Sequence, residues 1–182
     1  MPATRTLAAR FSFLTLGVLL CCSSCSSKSD RSERAVNRPS PPAQVVATTP
    51  SGATLRISYS RPSAKDRTVF GGLVPYGQVW RTGANEATTF EVSQPVRVQG
   101  QPLPAGKYAL FTIPTKKEWT IIFNKTAKQW GAYEYQAADD VLRVPAPATA
   151  IPAPLEQFTI TASKAGQVTL AWEKTQVQFE VK

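Results

Sequence analysis

The sequence predicts an all-β protein, a single antiparallel β-sandwich or jelly-roll-like domain that follows an N-terminal signal and a tether. From Ala43 to Lys182, apolar and polar residues alternate with a period of two, which is the period of a half-buried strand. Glycines and prolines divide this pattern into short runs, and no run has the 3.6-residue period of a long helix. Many short strands joined by short turns are typical of antiparallel sandwiches and jelly rolls.

The strands can be assigned in order along this domain. In the first clear run, Leu55, Ile57 and Tyr59 alternate with polar residues. Short connections at 164–166 and 173–175 predict two hairpins between the last three strands. A short helical turn is expected at 63–67 or at 127–130. The predicted strands lie at 55–60, 88–93, 96–98, 107–113, 119–125, 141–144, 158–162, 168–172 and 177–181.

An apolar run near the N-terminus predicts export. Phe11 to Leu20 follow Arg5 and Arg10, and this run is far shorter than the ~20 residues that cross a bilayer as a helix. A basic segment, a short apolar segment and small residues before a processing site are typical of a secretory signal. We therefore predict a signal peptide at residues 1–24.

The cysteines that follow the apolar run resemble those of a bacterial lipoprotein signal. Cys25 fits best as the lipidated residue because the small residues Ser23 and Ser24 precede it, and Cys22 is the second choice. The alternative is an ordinary cleaved signal, which would leave a secreted soluble protein. Residues 25–42 are polar and proline-ended, so we expect a lipidated cysteine followed by a disordered tether. The domain at 43–182 would then lie in the periplasm or at the cell surface, held to the inner or outer membrane by lipid.

The composition excludes several kinds of chemistry. The chain has no histidine, and its three cysteines all lie between residues 21 and 25. The domain therefore has no Ser-His-Asp or Cys-His nucleophile system and no Cys/His zinc site, and we predict no cofactor and no metal. The adjacent acids Asp139 and Asp140 favour a solvated turn over a calcium site.

The charge of the chain favours anionic partners or a solvated basic surface. The formal net charge is +9, and it falls to +7 if Arg5 and Arg10 leave with the signal. Such an excess attracts lipid headgroups or acidic polysaccharides. No run of basic residues interleaved with aromatic residues supports nucleic-acid binding.

A long segment departs from the alternating pattern and carries the resemblance to a family. Residues 59–88 read YSRPSAKDRTVFGGLVPYGQVWRTGANEAT, and are followed by LPAGKYALFTIP, WTIIFNK, WGAY and LRV. Together these motifs resemble the bacterial family catalogued as domain of unknown function 2911. The resemblance implies a secreted or lipid-anchored envelope protein, common in Bacteroidota-like bacteria, but no activity. The family often has glycine where this chain has Asp66, and if that position needs a positive φ, aspartate is tolerated there but is second best.

Several residues in and near this segment are candidates for ligand binding. Arg81 and Glu86 could read a sugar or a carboxylate, or they could form an internal ion pair. Basic residues near position 65 suit an anion site or a solvated loop. Exposed aromatic rings could stack on a sugar, although Trp119 and Trp172 lie at strand positions typical of core residues. The candidate ligand-binding residues are Arg61, Lys65, Arg67, Tyr76, Trp80, Arg81, Asn85, Glu86, Trp130 and Tyr133.

Three functions fit these observations. The first is a non-catalytic module of the cell envelope that binds a carbohydrate or an anionic ligand. The second is a hydrolase of glycans, which would need two carboxylates roughly 5–9 Å apart. The third is a structural or assembly protein without a small ligand. A cleft that joins the candidate residues would favour the first, and two facing acids would favour the second.

Overall fold

The computed structural model describes residues 38–182 and confirms the all-β prediction. Apart from one turn of 3₁₀-helix at Ala137–Asp139, the described elements are strands. Within residues 38–182, no helix is long and apolar enough to cross a membrane. The strands are β1 (Pro42–Thr48), β2 (Thr54–Ser60), β3 (Thr88–Val92), β4 (Val96–Val98), β5 (Gln101–Leu103), β6 (Gly106–Ile113), β7 (Glu118–Asn124), β8 (Asp140–Ala162) and β9 (Gln167–Glu180).

The strands form one curled antiparallel sheet in the order β1-β2-β3-β6-β7-β8-β9, with a small β4-β5 sheet beside it. The first part of β8 pairs with β7, and the rest, from Ala148 onward, pairs with β9 with register shifts between Ala150 and Leu155 and between Leu155 and Thr159. Bulges of this kind bend a strand, so β8 carries the sheet back over itself. A bridge from Val98 to Val181 joins the small sheet to the end of β9.

The folded-over sheet encloses a hydrophobic core, as in a sandwich. Phe90 on β3 and Phe123 on β7 each lie 6.3 Å, between ring centroids, from Phe179 on β9. All three rings are buried. The inward-facing residues therefore follow the period-two pattern that the sequence predicts.

The structure corrects several element boundaries. The hairpin at 164–166 is confirmed, but the one at 173–175 is wrong because β9 continues through these residues. Glu173 takes a φ of 52° and Leu155 pairs with it across the bulge, so the strand kinks there without reversing. The helical turn lies at 137–139 and not at 63–67 or 127–130. The sequence pattern does not predict two further strands, β1 and β5, or the proline-rich middle of β8.

An aromatic cluster closes one part of the core beneath the long loop at 61–87. Phe70 meets Trp119 edge-on at 4.6 Å, and Trp80 stacks on Trp172 at 5.9 Å with 20° between the ring planes. Phe158 packs against Trp80 at 5.2 Å. The predicted core positions of Trp119 and Trp172 are confirmed, since each is 1% exposed.

A second apolar cluster lies on the other face of the sheet. It contains Phe111 and Ile122, from β6 and β7, and is packed against Ala132 and Tyr135 from the segment at 125–139. Leu110, next in sequence to Phe111, belongs to the main core, because neighbouring residues of a strand point to opposite faces. The segment at 125–139 thus covers the outer face of the sheet.

Candidate functional site

Several backbone hydrogen bonds hold the long loop to the sandwich. Trp80 exchanges backbone hydrogen bonds with Thr112 on β6, at 2.8 and 2.9 Å. At the start of the loop, the amide of Phe158 on β8 donates to the carbonyl of Pro62 at 2.9 Å. The residue after Trp80, Arg81, is therefore presented from a well-fixed backbone.

The backbone next to Arg81 is strained. Thr82 has a φ of 53° and is fully buried, and a β-branched residue rarely adopts this conformation. The surroundings impose it: the hydroxyl of Thr88 donates to the Thr82 carbonyl at 2.7 Å, and the Thr82 hydroxyl bonds to that of Thr112 at 3.2 Å. Strain that persists in a tightly bonded segment points towards a functional role.

Arg81 borders a cleft between the loop and the core. The cleft has a volume of about 360 Å³, which is within the size range of small-molecule pockets. Its floor contains the stacked rings of Trp80 and Trp172. The remaining lining residues are mostly small, polar or aliphatic: Ser40, Pro62, Arg67, Leu73, Val74, Pro75, Gln78, Val79, Gly83 and Ala84.

The charges at this cleft are all positive among the described residues. Two arginines line it, and no aspartate or glutamate does. Arg67 donates to the carbonyls of Ser63 and Ala64, both at 2.9 Å, and so has no acidic partner there. The Nε of Arg81 is buried and has no hydrogen-bond partner within residues 38–182. The cleft therefore presents two arginines, with no acid in its described lining, beside an apolar floor.

The predicted internal pair of Arg81 with Glu86 does not form. Glu86 instead accepts two hydrogen bonds from Arg38, at 3.1 and 3.3 Å. Partial burial raises the pKa of Glu86, but its own backbone N–H and Arg38 outweigh this effect and leave the pKa below its ordinary value. Residues 82 and 85 both have positive φ, and these turns carry Glu86 away to a bridge with Trp130.

The other polar candidates also make separate contacts. Arg61 donates to the Phe158 carbonyl at 3.2 Å and to the Thr159 hydroxyl at 2.9 Å. Asn85 donates to the Ser40 carbonyl and the Ser60 hydroxyl, each at 3.4 Å. None of these contacts joins Arg61, Asn85 or Glu86 to Arg81 or to one another, although Ser40, which accepts from Asn85, lines the cleft beside Arg81.

Lys65 and Asp66 lie at a tight turn of the loop. Their φ angles are 51° and 56°, so Asp66 has the positive φ that glycine adopts more readily. The backbone N–H of Lys65 donates to Glu156 at 3.0 Å, and that of Val69 donates to Glu173 at 3.2 Å. Both glutamates thus fasten the loop to β8 and β9, beside a second cleft with mixed charges.

The aromatic candidates divide into buried and exposed rings. Trp80 is 7% exposed and donates from its indole N–H to the Gly83 carbonyl, so its ring is mainly a core element. Tyr76 is partly exposed, and its ring lies against Gly71, where a Cβ would be 2.6 Å from the ring edge. Trp130 and Tyr133 are 57% and 86% exposed, and neither lines the cleft beside Arg81.

The structure also reveals a polar network that the sequence did not predict. Asp140 accepts hydrogen bonds from Tyr135, from Arg143 at 2.7 Å and from Asn124 at 2.8 Å. Arg143 also donates to the Tyr135 hydroxyl at 2.6 Å. Burial and then the negative charge and hydrogen bond of Asp140 raise the pKa of Tyr135 to about 12. No local pattern indicates this network, because the chain must first fold across the outer face of the sheet.

The neighbouring acids do not form a metal site. Asp139 pairs with Lys125 at 3.1 Å and accepts from Thr126 at 3.0 Å, whereas Asp140 belongs to the network with Tyr135. Within the described residues, no group of three or more acidic side chains is placed to hold a metal ion. Each acid is therefore used in local contacts.

Comparison with known proteins identifies the family. The model of the family described as a protein of unknown function (DUF2911) matches residues 40–181. The chain belongs to this family. No curated protein and no solved structure matches it. The match spans the loop, the cleft beside Arg81 and the Asp140 network, so all three belong to the family domain.

Proposed function

We propose that this protein is a lipid-anchored module of the bacterial cell envelope that binds a small organic anion, without catalysis, in the cleft beside Arg81. The observation that carries the proposal is the buried, unpartnered Nε of Arg81 in a cleft whose described lining contains no acid. Leaving a buried donor without a partner costs about 1–3 kcal/mol. A ligand carboxylate or phosphate recovers this cost.

The geometry of guanidinium groups favours a planar anion. An arginine offers parallel N–H donors that match the two oxygens of a carboxylate. In this proposal the Arg81 side chain turns on binding, so that its Nε–H, which is buried in the structure, meets the ligand. Arg67, already bound to two backbone carbonyls, adds positive charge without needing to move.

The apolar lining indicates the rest of the ligand. Trp80, Trp172 and Val74 are 7% exposed or less, so the apolar surface that the cleft leaves to a ligand belongs mainly to Leu73 and Pro75. Apolar surface released from water contributes roughly 25 cal/mol per Å². The ligand class is therefore an aromatic or branched aliphatic carboxylate, or a phosphate ester with such a body, and a simple acetate ion gains much less.

The anchor follows from the N-terminal sequence. Cys25 and the rest of residues 1–37 lie outside the described residues. The short apolar run and the Ser23-Ser24-Cys25 junction support export and lipidation. A single acyl chain binds a membrane reversibly, while two or more hold a protein stably, so a diacylated Cys25 keeps the domain at the membrane.

The cleft gives less support to the other two functions. A glycan hydrolase needs two facing carboxylates, and the described lining of the Arg81 cleft contains none. In the second cleft, Glu156 and Glu173 accept backbone hydrogen bonds that fasten the loop. A purely structural protein gains nothing from a strained Thr82 beside an unpartnered arginine.

A calorimetric titration tests the proposal. Benzoate should bind more tightly than acetate, and the neutral isostere benzamide should bind at least tenfold more weakly than benzoate. Arg81→Gln should abolish the preference for benzoate over benzamide. The matched control is Arg56→Gln, which alters an exposed arginine that donates to Gln44 on the neighbouring strand and should leave binding unchanged. Equal binding of benzoate and benzamide, or no loss in Arg81→Gln, would contradict the proposal.

A further inference from the structure

The two most exposed aromatic rings of the described chain lie on one short turn. Trp130 is 57% exposed and Tyr133 is 86% exposed. Gly131, between them, has a φ of 67°, and a Cβ there would lie 2.8 Å from the Tyr133 ring. The turn is therefore fixed, with the Tyr133 ring lying over the backbone of Gly131. Neighbouring exposed rings leave apolar surface in water, and such a patch marks a contact with an external partner.

This turn lies beside the point where the chain enters the domain. Trp130 forms a backbone bridge with Glu86, and Glu86 binds the side chain of Arg38. Arg38 is the first described residue, thirteen positions after Cys25. Thirteen residues span at most about 45 Å even when fully extended. A lipid on Cys25 thus holds the point where the chain enters the domain within about 45 Å of the bilayer surface, so the turn beside this point is able to reach the headgroup region.

We infer that Trp130 and Tyr133 form a membrane-docking turn, which inserts into the headgroup region of the bilayer that holds the lipid anchor. Trp and Tyr are enriched at this depth because each has an apolar ring and a polar N–H or O–H group. The inference rests on the anchored part of the proposed function, but not on the ligand of the Arg81 cleft.

The charges around the turn indicate an attraction that is not mainly ionic. Exposed Lys128 and Glu134 flank the two rings in the sequence, and the nearby Glu86 is paired with Arg38. Since these charges balance, docking should depend little on salt and should not need anionic lipid. A basic surface patch would instead lose its attraction as salt is added.

Fluorescence quenching by brominated lipids tests this inference. The full-length lipidated protein is reconstituted into phosphatidylethanolamine and phosphatidylglycerol vesicles whose acyl chains carry bromine. Trp80, Trp119 and Trp172 are 7% exposed or less, so quenching should affect Trp130 selectively. We expect quenching that Trp130→Phe removes and that Tyr133→Ala reduces at least twofold. Exposed Tyr76 lies outside the turn, and the control Tyr76→Ala should leave the quenching unchanged.

The outcomes separate this inference from the proposed function. Acylated, vesicle-bound protein without Trp130 quenching overturns the docking inference alone. Absence of acyl chains on the purified protein, measured by mass spectrometry, overturns the anchor and the docking together. A change in Trp130 emission caused by soluble oligosaccharides, without quenching by lipid, overturns docking and assigns the turn to glycan stacking. Quenching that disappears when salt is raised overturns the non-ionic attraction.

Discussion

The cleft beside Arg81 and the network around Asp140 are both built from an arginine and aromatic residues, but their polar groups are satisfied differently. Asp140 accepts from three side chains, and its own side chain is only 6% exposed. The Nε of Arg81 has no partner among the described residues. A complete network stabilises a fold, whereas an incomplete one leaves a donor for a ligand. The comparison therefore fits a structural role for the Asp140 network and the proposed anion binding for the Arg81 cleft.

Removing Asp140 should produce a larger loss of stability than any substitution in the Arg81 cleft. Asp140→Ala leaves Asn124, Tyr135 and Arg143 without their shared acceptor, and the part-buried donors then go unpaired. We expect a loss of about 2–4 kcal/mol in the free energy of unfolding, measured by urea denaturation. The adjacent control, Asp139→Ala, removes a pair with the exposed Lys125 and should have a much smaller effect on stability, because solvent-exposed ion pairs contribute little. Equal effects would contradict the distinction between the two acids.

The pH dependence of stability should report on Tyr135. Its pKa rises from 10.0 to about 12 in the folded protein, so the folded state holds the phenolic proton more tightly than the unfolded state. This stabilisation is complete below pH 10 and is lost as the pH rises to 12. Tyr135→Phe should lower stability at about pH 8 by about 1 kcal/mol and flatten the decline between pH 10 and 12. An unchanged decline in the variant would show that another group causes it.

A smaller effect is expected at Asp66, in the loop that forms the cleft. Its φ of 56° suits glycine better than aspartate. Asp66→Gly relieves this backbone cost but increases the entropy of the unfolded chain, so we expect a gain of about 0.5 kcal/mol in thermal or chemical denaturation. Thr82→Gly is a less direct comparison. It relieves the backbone strain of a β-branched residue at positive φ, but it also removes the side-chain hydrogen bond to Thr112. A loss of stability in Asp66→Gly would indicate an aspartate contact that the structure lacks.

The smallest loss of stability should come from Arg81 itself. Because its Nε has no partner among the described residues, Arg81→Gln removes an unpaired buried donor, so the variant should be at least as stable as the wild-type protein. Arg143→Gln, the matched change in the Asp140 network, should cost about 1–2 kcal/mol. Both values come from urea denaturation. If Arg81→Gln is the more destabilising of the two, Arg81 is a structural residue and the assignment of the two regions is reversed.

Sequence periodicity predicts the sandwich because alternation reports which face of each strand is buried. The periodicity mispredicts the structure where the local pattern and the tertiary pairing disagree. Residues 173–175 look like a turn in the sequence, but Glu173 lies inside β9 and pairs with Leu155 on β8. Proline-containing segments such as β5 form strands at the edges of sheets, where a missing N–H costs little.

The candidate site is predictable only in part. The concentration of arginine, glycine and aromatic residues at 59–88 marks the loop, and the cleft lies there. Side-chain partners are not predictable, because Glu86 meets Arg38 across 48 positions and Asp140 meets Asn124 across 16. The burial of Trp80 is not predictable either, because polar residues follow it in the sequence whereas its ring packs into the core.

The Nε–H signal of Arg81 gives the most direct test of anion binding in the cleft. This proton is buried, so it should exchange slowly with water and be visible in a ¹H–¹⁵N NMR spectrum, assigned by its absence in Arg81→Gln. Titration with benzoate should shift this signal to the frequency of a charge-assisted hydrogen bond, while benzamide leaves it in place. If benzoate moves other signals but not this one, or moves none, Arg81 does not bind an anion and the central claim fails.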